Sequence, residues 1–200
     1  MPSKPRTDVR RRMLFAGFET VQENGVDATS LTEVADRAQA PRGSIYHHFP
    51  GGKAELLRDA IRLAGMLRSK QIAALVADDD PTRIVDEIID MFREQLRASD
   101  YRAGCPVAAS VVHGDNYPEA MTAAGESFSS WEELITQSLW QRGLAMEHAQ
   151  SLATMVLTSI EGALLLAKAQ RNTRALDRIQ PELTKAITIA VQGAASEGKG

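Results

Sequence analysis

The chain of 200 residues has a single cysteine, Cys105. One thiol excludes an internal disulfide and a cysteine-based zinc cluster, and it suits a reducing compartment. Cys105 stands among small apolar residues and reads as a buried, inert thiol. Aromatic residues are scarce at 5%, while Ala and Leu abound, which favours an all-helical chain over a β-rich one. No continuous apolar run reaches the length of a membrane span. The opening RRRMLFAGFETV resembles a basic targeting segment, but its apolar part is short and is cut by Glu19. It is read as a first helix.

The marks of catalysis are missing too. Ser44 lacks a G-x-S-x-G setting, and Pro50-Gly51-Gly52-Lys53 lacks P-loop spacing. Asp78-Asp79-Asp80 reads as a solvated helix break. His47 and His48 point about 100° apart on a helix and cannot easily share an ion. His113 with Asp115 offers only two ligands. No catalytic residue, metal or cofactor is expected. Charge is uneven along the chain. The net charge is -3, yet residues 1–57 hold 8 Lys and Arg against 7 Asp and Glu, a local net of +1. Lys4, Arg6, Arg10, Arg11 and Arg12 crowd the first twelve positions, as expected of a nucleic-acid-binding end on an acidic body.

What is present is concentrated in Thr29–Lys53, TSLTEVADRAQAPRGSIYHHFPGGK. Ser30 followed by Glu33 reads as a capping box that starts a helix. Val34, Ala35 and Ala38 give that helix an apolar face, and it should stop near Gln39-Ala40. Pro41 suits the start of the next helix, which runs Arg42 to His48 and ends at Pro50-Gly51-Gly52. So short a helix needs packing, expected from Ile45 and Phe49. Its other face is small and polar, and Arg, Ser, Tyr and His can all donate to phosphates or base edges. Two short helices joined by a tight turn form a helix-turn-helix, whose second helix enters the DNA major groove.

At these positions the chain resembles the TetR/AcrR family of transcriptional regulators, closest to its LmrA/YxaF-like branch. Thr32, Val34, Ala35, Ala38, Gly43, Ile45, Tyr46, His48, Phe49 and Lys53 fit the family signature. Three departures stand out. Gln39 occupies the usual turn glycine, Pro41 replaces Ser or Thr, and Pro50-Gly51-Gly52 is one residue long. The resemblance implies phosphate contacts from Tyr46, His48, Lys53, Ser30 and Thr32, and base contacts from Arg42, Gly43, Ser44 and His47.

Helical periodicity continues through the rest of the chain. Helices are expected over residues 7–23, from 52 or 53 to the Asp78–Pro81 break, from about 83 to 98, over 105–113, 119–142 and about 147–171, with a last helix interrupted at Pro181. The fold class is therefore all-α. A three-helix helix-turn-helix domain over 1–52 precedes a helical ligand-binding and dimerisation bundle over 53–200. From Leu152 to Ala167 the eighth helix is apolar almost all round, with Glu161 its only charge, so one chain cannot cover it. Leu157, Ile160, Leu164, Ile179, Leu183 and Ile187 are the expected dimer interface. Met66, Phe92, Cys105, His113, Phe128, Trp131 and Met155 are the expected walls of an effector pocket.

The family resemblance implies a cytoplasmic homodimer that binds a palindromic double-stranded operator and releases it when a small apolar effector binds. No membrane partner is expected. A helical protein-binding scaffold and a small-molecule enzyme using the helical pocket are the alternatives.

Overall fold

The computed structural model describes residues 6–112 and 114–197, and among these every regular element is helical. In chain order they are α1 (Arg6–Ala28), α2 (Leu31–Arg37), a 3-10 turn (Arg42–Ser44) leading into α3 (Ile45–His48), and α4 (Gly52–Val76). Then come α5 (Arg83–Ala98), α6 (Pro106–Val111), a 3-10 turn (Gly114–Asn116), α7 (Pro118–Gln141), α8 (Met146–Gln170) and α9 (Arg174–Glu197). They form two compact units, one of residues 1–67 with 105–127, the other of 68–104 with 128–200.

The first unit is built around Met13 and Ala16 of α1, Val34 and Ala35 of α2, Ala38, Ile45, Phe49 and Leu56, all buried together. These apolar positions recur every three or four residues on each helix, which is why one face of each turns inward. α6 packs on α1, and Cys105 at its N-terminus is buried there. The thiol sulfur accepts from the Ala108 amide at 3.5 Å.

Two local expectations change. Gly25 does break the first helix, at φ 80° and ψ 174°, but helical turns resume to Ala28. Only glycine tolerates that conformation at low cost. Ser30 is the N-cap of α2 with the extended backbone a cap needs, yet its side chain makes no cap hydrogen bond. Glu33 turns instead to Arg37, 3.0 Å away and one helical turn on, so there is no capping box.

The second unit gathers the end of α4, α5, the end of α7, α8 and α9. α5 is two-sided, apolar on its inner face and charged on its outer one. Ile84, Val85, Ile88, Ile89, Phe92 and Leu96 are all buried, each worth about 1.5–3 kcal/mol of burial. Pro181 lies inside α9 without delaying its start. α8 overturns one reading made from sequence, since by length and composition it could cross a membrane. It is also a core helix. Ala149, Leu152, Ala153, Val156, Ile160, Ala163, Leu164 and Ala167 are buried, and it packs against α5 and α9. Its opposite side is open, with Met155, Leu165 and Leu166 exposed, Leu165 at 68%.

Candidate nucleic-acid interface

The turn between α2 and α3 explains how the polar segment is presented. α2 ends in a Schellman motif. The Ala40 amide donates to the Ala35 carbonyl and the Gln39 amide to the Asp36 carbonyl, both at 3.0 Å. Gln39 sits at φ 50°, the left-handed position that glycine normally fills. A residue with a side chain holds it at a cost of about 1–2 kcal/mol. The turn is tight in spite of the missing glycine. Pro41 then stands in extended backbone just outside the 3-10 turn.

From there the chain divides cleanly by side. Ile45 and Phe49 are buried. Arg42, Gly43, Tyr46 and His47 are exposed, while Ser44 and His48 are half-buried. A Cβ on Gly43 would meet nothing within 4 Å, so this stretch of backbone is open to a partner. Tyr46 is 64% exposed, so its ring and hydroxyl are open to solvent on this side. The Ser44 hydroxyl donates to the Pro41 carbonyl at 2.6 Å, and the His47 and His48 rings meet edge to face.

Arg42 is held by Asp36. Its Nε donates to Oδ1 at 3.1 Å and its Nη2 to Oδ2 at 2.8 Å. The Arg42 hydrogen bond holds the Asp36 carboxyl below the usual carboxylate range, and Asp36 in turn raises Arg42.

Lys53, at the start of α4, is also placed by its neighbours. Its Nζ donates to the Asp27 carbonyl at 2.8 Å and lies 4.9 Å from the Tyr117 ring centre. Asn116 reaches the Asp27 carboxylate at 3.3 Å. Ser30 and Thr32, at the start of α2, are exposed.

The N-terminal cation cluster is less free than the sequence implies. Arg10 pairs with Asp59 and Glu55 and lies 4.8 Å over the Phe49 ring. Arg11 and Arg12 both face Asp8, at 3.5 and 3.7 Å. Charge counting along the sequence could not see these pairings. Nor did it single out Asp36, Asp27 or Tyr117, which position the polar residues. The six-residue spacing of Asp36 and Arg42 across a turn was the only available signal.

The expected effector residues scatter. Phe92 and Trp131 line one cavity in the second unit, with Arg68, Ile72, Ile88 and Glu161 among its other walls. Its volume is about 20 Å³, room for roughly one water. Arg68 lines it, donating to Gln71 and to the Met91 sulfur, both at 2.7 Å, and lying 4.9 Å over the Phe92 ring. Phe128 meets Trp131 edge to face but lines a neighbouring groove of about 310 Å³, which shares Leu157 and Glu161 with the cavity.

Met155 and Met66 are exposed. Met66 and Cys105 belong to the first unit, apart from Phe92 and Trp131. His113 lies outside the described residues.

The expected dimer residues shift as well. Ile160, Leu164, Leu183 and Ile187 are buried within the chain's own core, and Leu157 and Ile179 are half-buried. The uncovered apolar residues are their neighbours: Met155, Leu165 and Leu166 on α8 and Ile189 on α9. On a helix apolar on both sides, periodicity alone cannot tell the inner face from the outer.

A buried three-helix support presenting an exposed polar segment, in a chain that also forms a second helical unit, is the arrangement of a helix-turn-helix regulator. Comparison with known proteins agrees. Residues 14–60 match the pattern described as bacterial regulatory proteins, tetR family, and residues 81–182 match the LmrA/YxaF-like transcriptional regulator C-terminal domain. An uncharacterized HTH-type transcriptional regulator of Mycobacterium tuberculosis is 35% identical over 181 residues, covering 87% of this chain and 91% of that protein. The HTH-type transcriptional regulator LmrA of Bacillus subtilis is 28% identical over 183 residues, covering 89% and 97%. In fold, the chain is similar to the regulatory protein TetR from Rhodobacter sphaeroides, with a TM-score of 0.77 at 21% identity over 88% of this chain and 97% of that one.

The chain belongs to the TetR family of transcriptional regulators, with a C-terminal domain of the LmrA/YxaF-like kind. It is a DNA-binding regulator and not an enzyme.

Proposed function

We propose that this regulator is a cytoplasmic homodimeric repressor that leaves a near-palindromic operator when a small apolar effector binds its helical unit. The observation that carries the reading is the segment Arg42–His48, polar and open on one side and anchored by Ile45 and Phe49 on the other. One such segment reads a half-site, and two-fold symmetry supplies the second. The open apolar side of α8 is the surface that brings the second chain. Tyr46, His48, Lys53, Ser30 and Thr32 hold phosphates, and Arg42, Gly43, Ser44 and His47 face base edges.

The effector enters along the groove beside Phe128 and Leu157 and opens the cavity between Phe92 and Trp131. At about 20 Å³ that cavity is closed to a drug-sized molecule, so binding must move its walls. This requirement is what couples ligand to DNA. α4 contributes to both units, and a ligand that shifts it changes DNA affinity. A tenfold effect needs about 1.4 kcal/mol, and DNA must weaken ligand binding by the same factor.

Selection of bound sequences from a random duplex pool, followed by a salt series, tests the DNA half. A palindromic consensus and an affinity that falls steeply with salt are expected. Tyr46→Ala and Lys53→Ala should weaken binding to all sequences alike. A pool that yields no consensus overturns the reading.

A further inference from the structure

We infer that Asp36 is a specificity-determining residue, holding the Arg42 guanidinium so that its outer edge reads a guanine. This rests on the reading that Arg42 faces base edges.

A guanidinium has two edges that can make paired hydrogen bonds, one formed by Nε with Nη2 and one by Nη1 with Nη2. Asp36 occupies the first, with Nε to Oδ1 at 3.1 Å and Nη2 to Oδ2 at 2.8 Å. The second edge has no partner among the described residues, and the Arg42 side chain is 69% exposed. Two parallel N–H groups in one plane match the O6 and N7 acceptors of guanine in the major groove. The brace fixes that plane before DNA arrives.

The brace has a firm base. Asp36 sits on α2, between Ala35 in the core and Arg37. Arg37 is itself tied to Glu23 at 2.9 Å and to Glu33 at 3.0 Å. Arg42 follows Pro41, whose fixed backbone limits where the arginine can start. The pair therefore spans the helix-turn-helix bend and connects its rigid first helix to its reading segment. A side chain as flexible as arginine loses rotamer freedom when it docks, and a neighbour that has already restricted it removes part of that cost. An exposed ion pair adds little to stability, so the role assigned to Asp36 is orientation.

The test uses the full chain in four forms: wild type, Arg42→Ala, Asp36→Asn and the double variant. Each is put through selection from a random duplex pool, then measured on the consensus duplex and on duplexes changed at single positions. Arg42→Ala should lose a guanine preference at one position in each half-site. Asp36→Asn keeps the shape of the side chain but cannot accept both hydrogen bonds. It should lose about two- to tenfold of discrimination at that same position and none elsewhere. Its affinity for unrelated DNA should hold or rise, because a negative charge has gone. The double variant should match Arg42→Ala alone.

Unchanged discrimination in Asp36→Asn, or an equal change at every position, overturns the assignment. A failure of the underlying reading looks different. In that case wild type selects no consensus, or Arg42→Ala leaves the profile intact, and the inference falls with it.

Discussion

The shortest and one of the longest helices of this molecule pose the same problem in opposite chemistry. α3, with the 3-10 turn before it, is too short to persist alone, and it is pinned by Ile45 and Phe49 while its other side stays polar and open. α8 is long and self-sufficient, pinned by eight buried residues, and its other side stays apolar and open. A polar open side is at no cost in water and waits for hydrogen-bond acceptors. An apolar open side is unfavourable in water and is relieved by a second protein surface. In the proposed function the first open side holds DNA and the second holds the chain's own copy.

The comparison breaks most visibly at adjacent leucines. Leu164 is 3% exposed and Leu165 is 68% exposed. Leu164→Glu places an unpaired charge in the core and should cost about 4 kcal/mol or more, seen as collapse of the thermal unfolding midpoint. Leu165→Glu should leave the fold and its midpoint per chain nearly intact but convert dimer to monomer in sedimentation equilibrium, with operator affinity lost alongside. Equal effects from both substitutions would erase the distinction between the two sides of α8.

A second test sharpens the same contrast inside the bundle. Phe92 is buried against the small cavity. Phe92→Ala should lower stability by about 3–5 kcal/mol in denaturant titration. The space it vacates should admit small apolar compounds without movement of the cavity walls, giving a larger thermal shift in the variant than in the wild type.

At the α2–α3 turn the expected change is smaller and of opposite sign. Gln39→Gly relieves a left-handed backbone and should raise stability by up to about 1 kcal/mol, after the extra freedom glycine gives the unfolded chain. Smaller still is the titration of Asp36. Its folded-state pKa is depressed by Arg42. Whatever the pair contributes is therefore present above the unfolded-state value and is lost as pH falls through the folded one. In Arg42→Ala, the Asp36 carboxyl should titrate back toward the usual carboxylate range by NMR.

These contrasts also explain what could be read from sequence. The residues proposed to face DNA are contiguous, so residue type, turn chemistry and spacing between Ser30 and Lys53 single them out in sequence, and the exposed polar side of Arg42–His48 is where that spacing puts it. Most helix ends were legible for the same reason, since Pro41, Gly52 and the Asp78–Pro81 break act locally; at Gly25 the break is local too, but helical turns resume beyond it to Ala28. The effector and dimer residues depend on which segments meet. Cys105 looked like a pocket wall but is the buried N-cap of α6 in the first unit, while Phe92 and Trp131 belong to the second. Ile160 and Leu164 looked like interface and are core. Periodicity shows that α8 has two apolar sides, but only its packing against α5 and α9 decides which is used up. The capping box is not formed: Ser30 makes no side-chain cap, and Glu33 pairs with Arg37 one turn along its own helix.

Protection of guanine N7 on the selected duplex, with the number of bound chains counted on the same complex, tests the central claim most directly. Two chains per duplex and two protected major-groove patches are expected, related by two-fold symmetry and separated by about one helical turn or a multiple of it. Leu165→Glu should abolish both patches together. One chain on a single protected patch, or protection that survives in a monomeric variant, would contradict it.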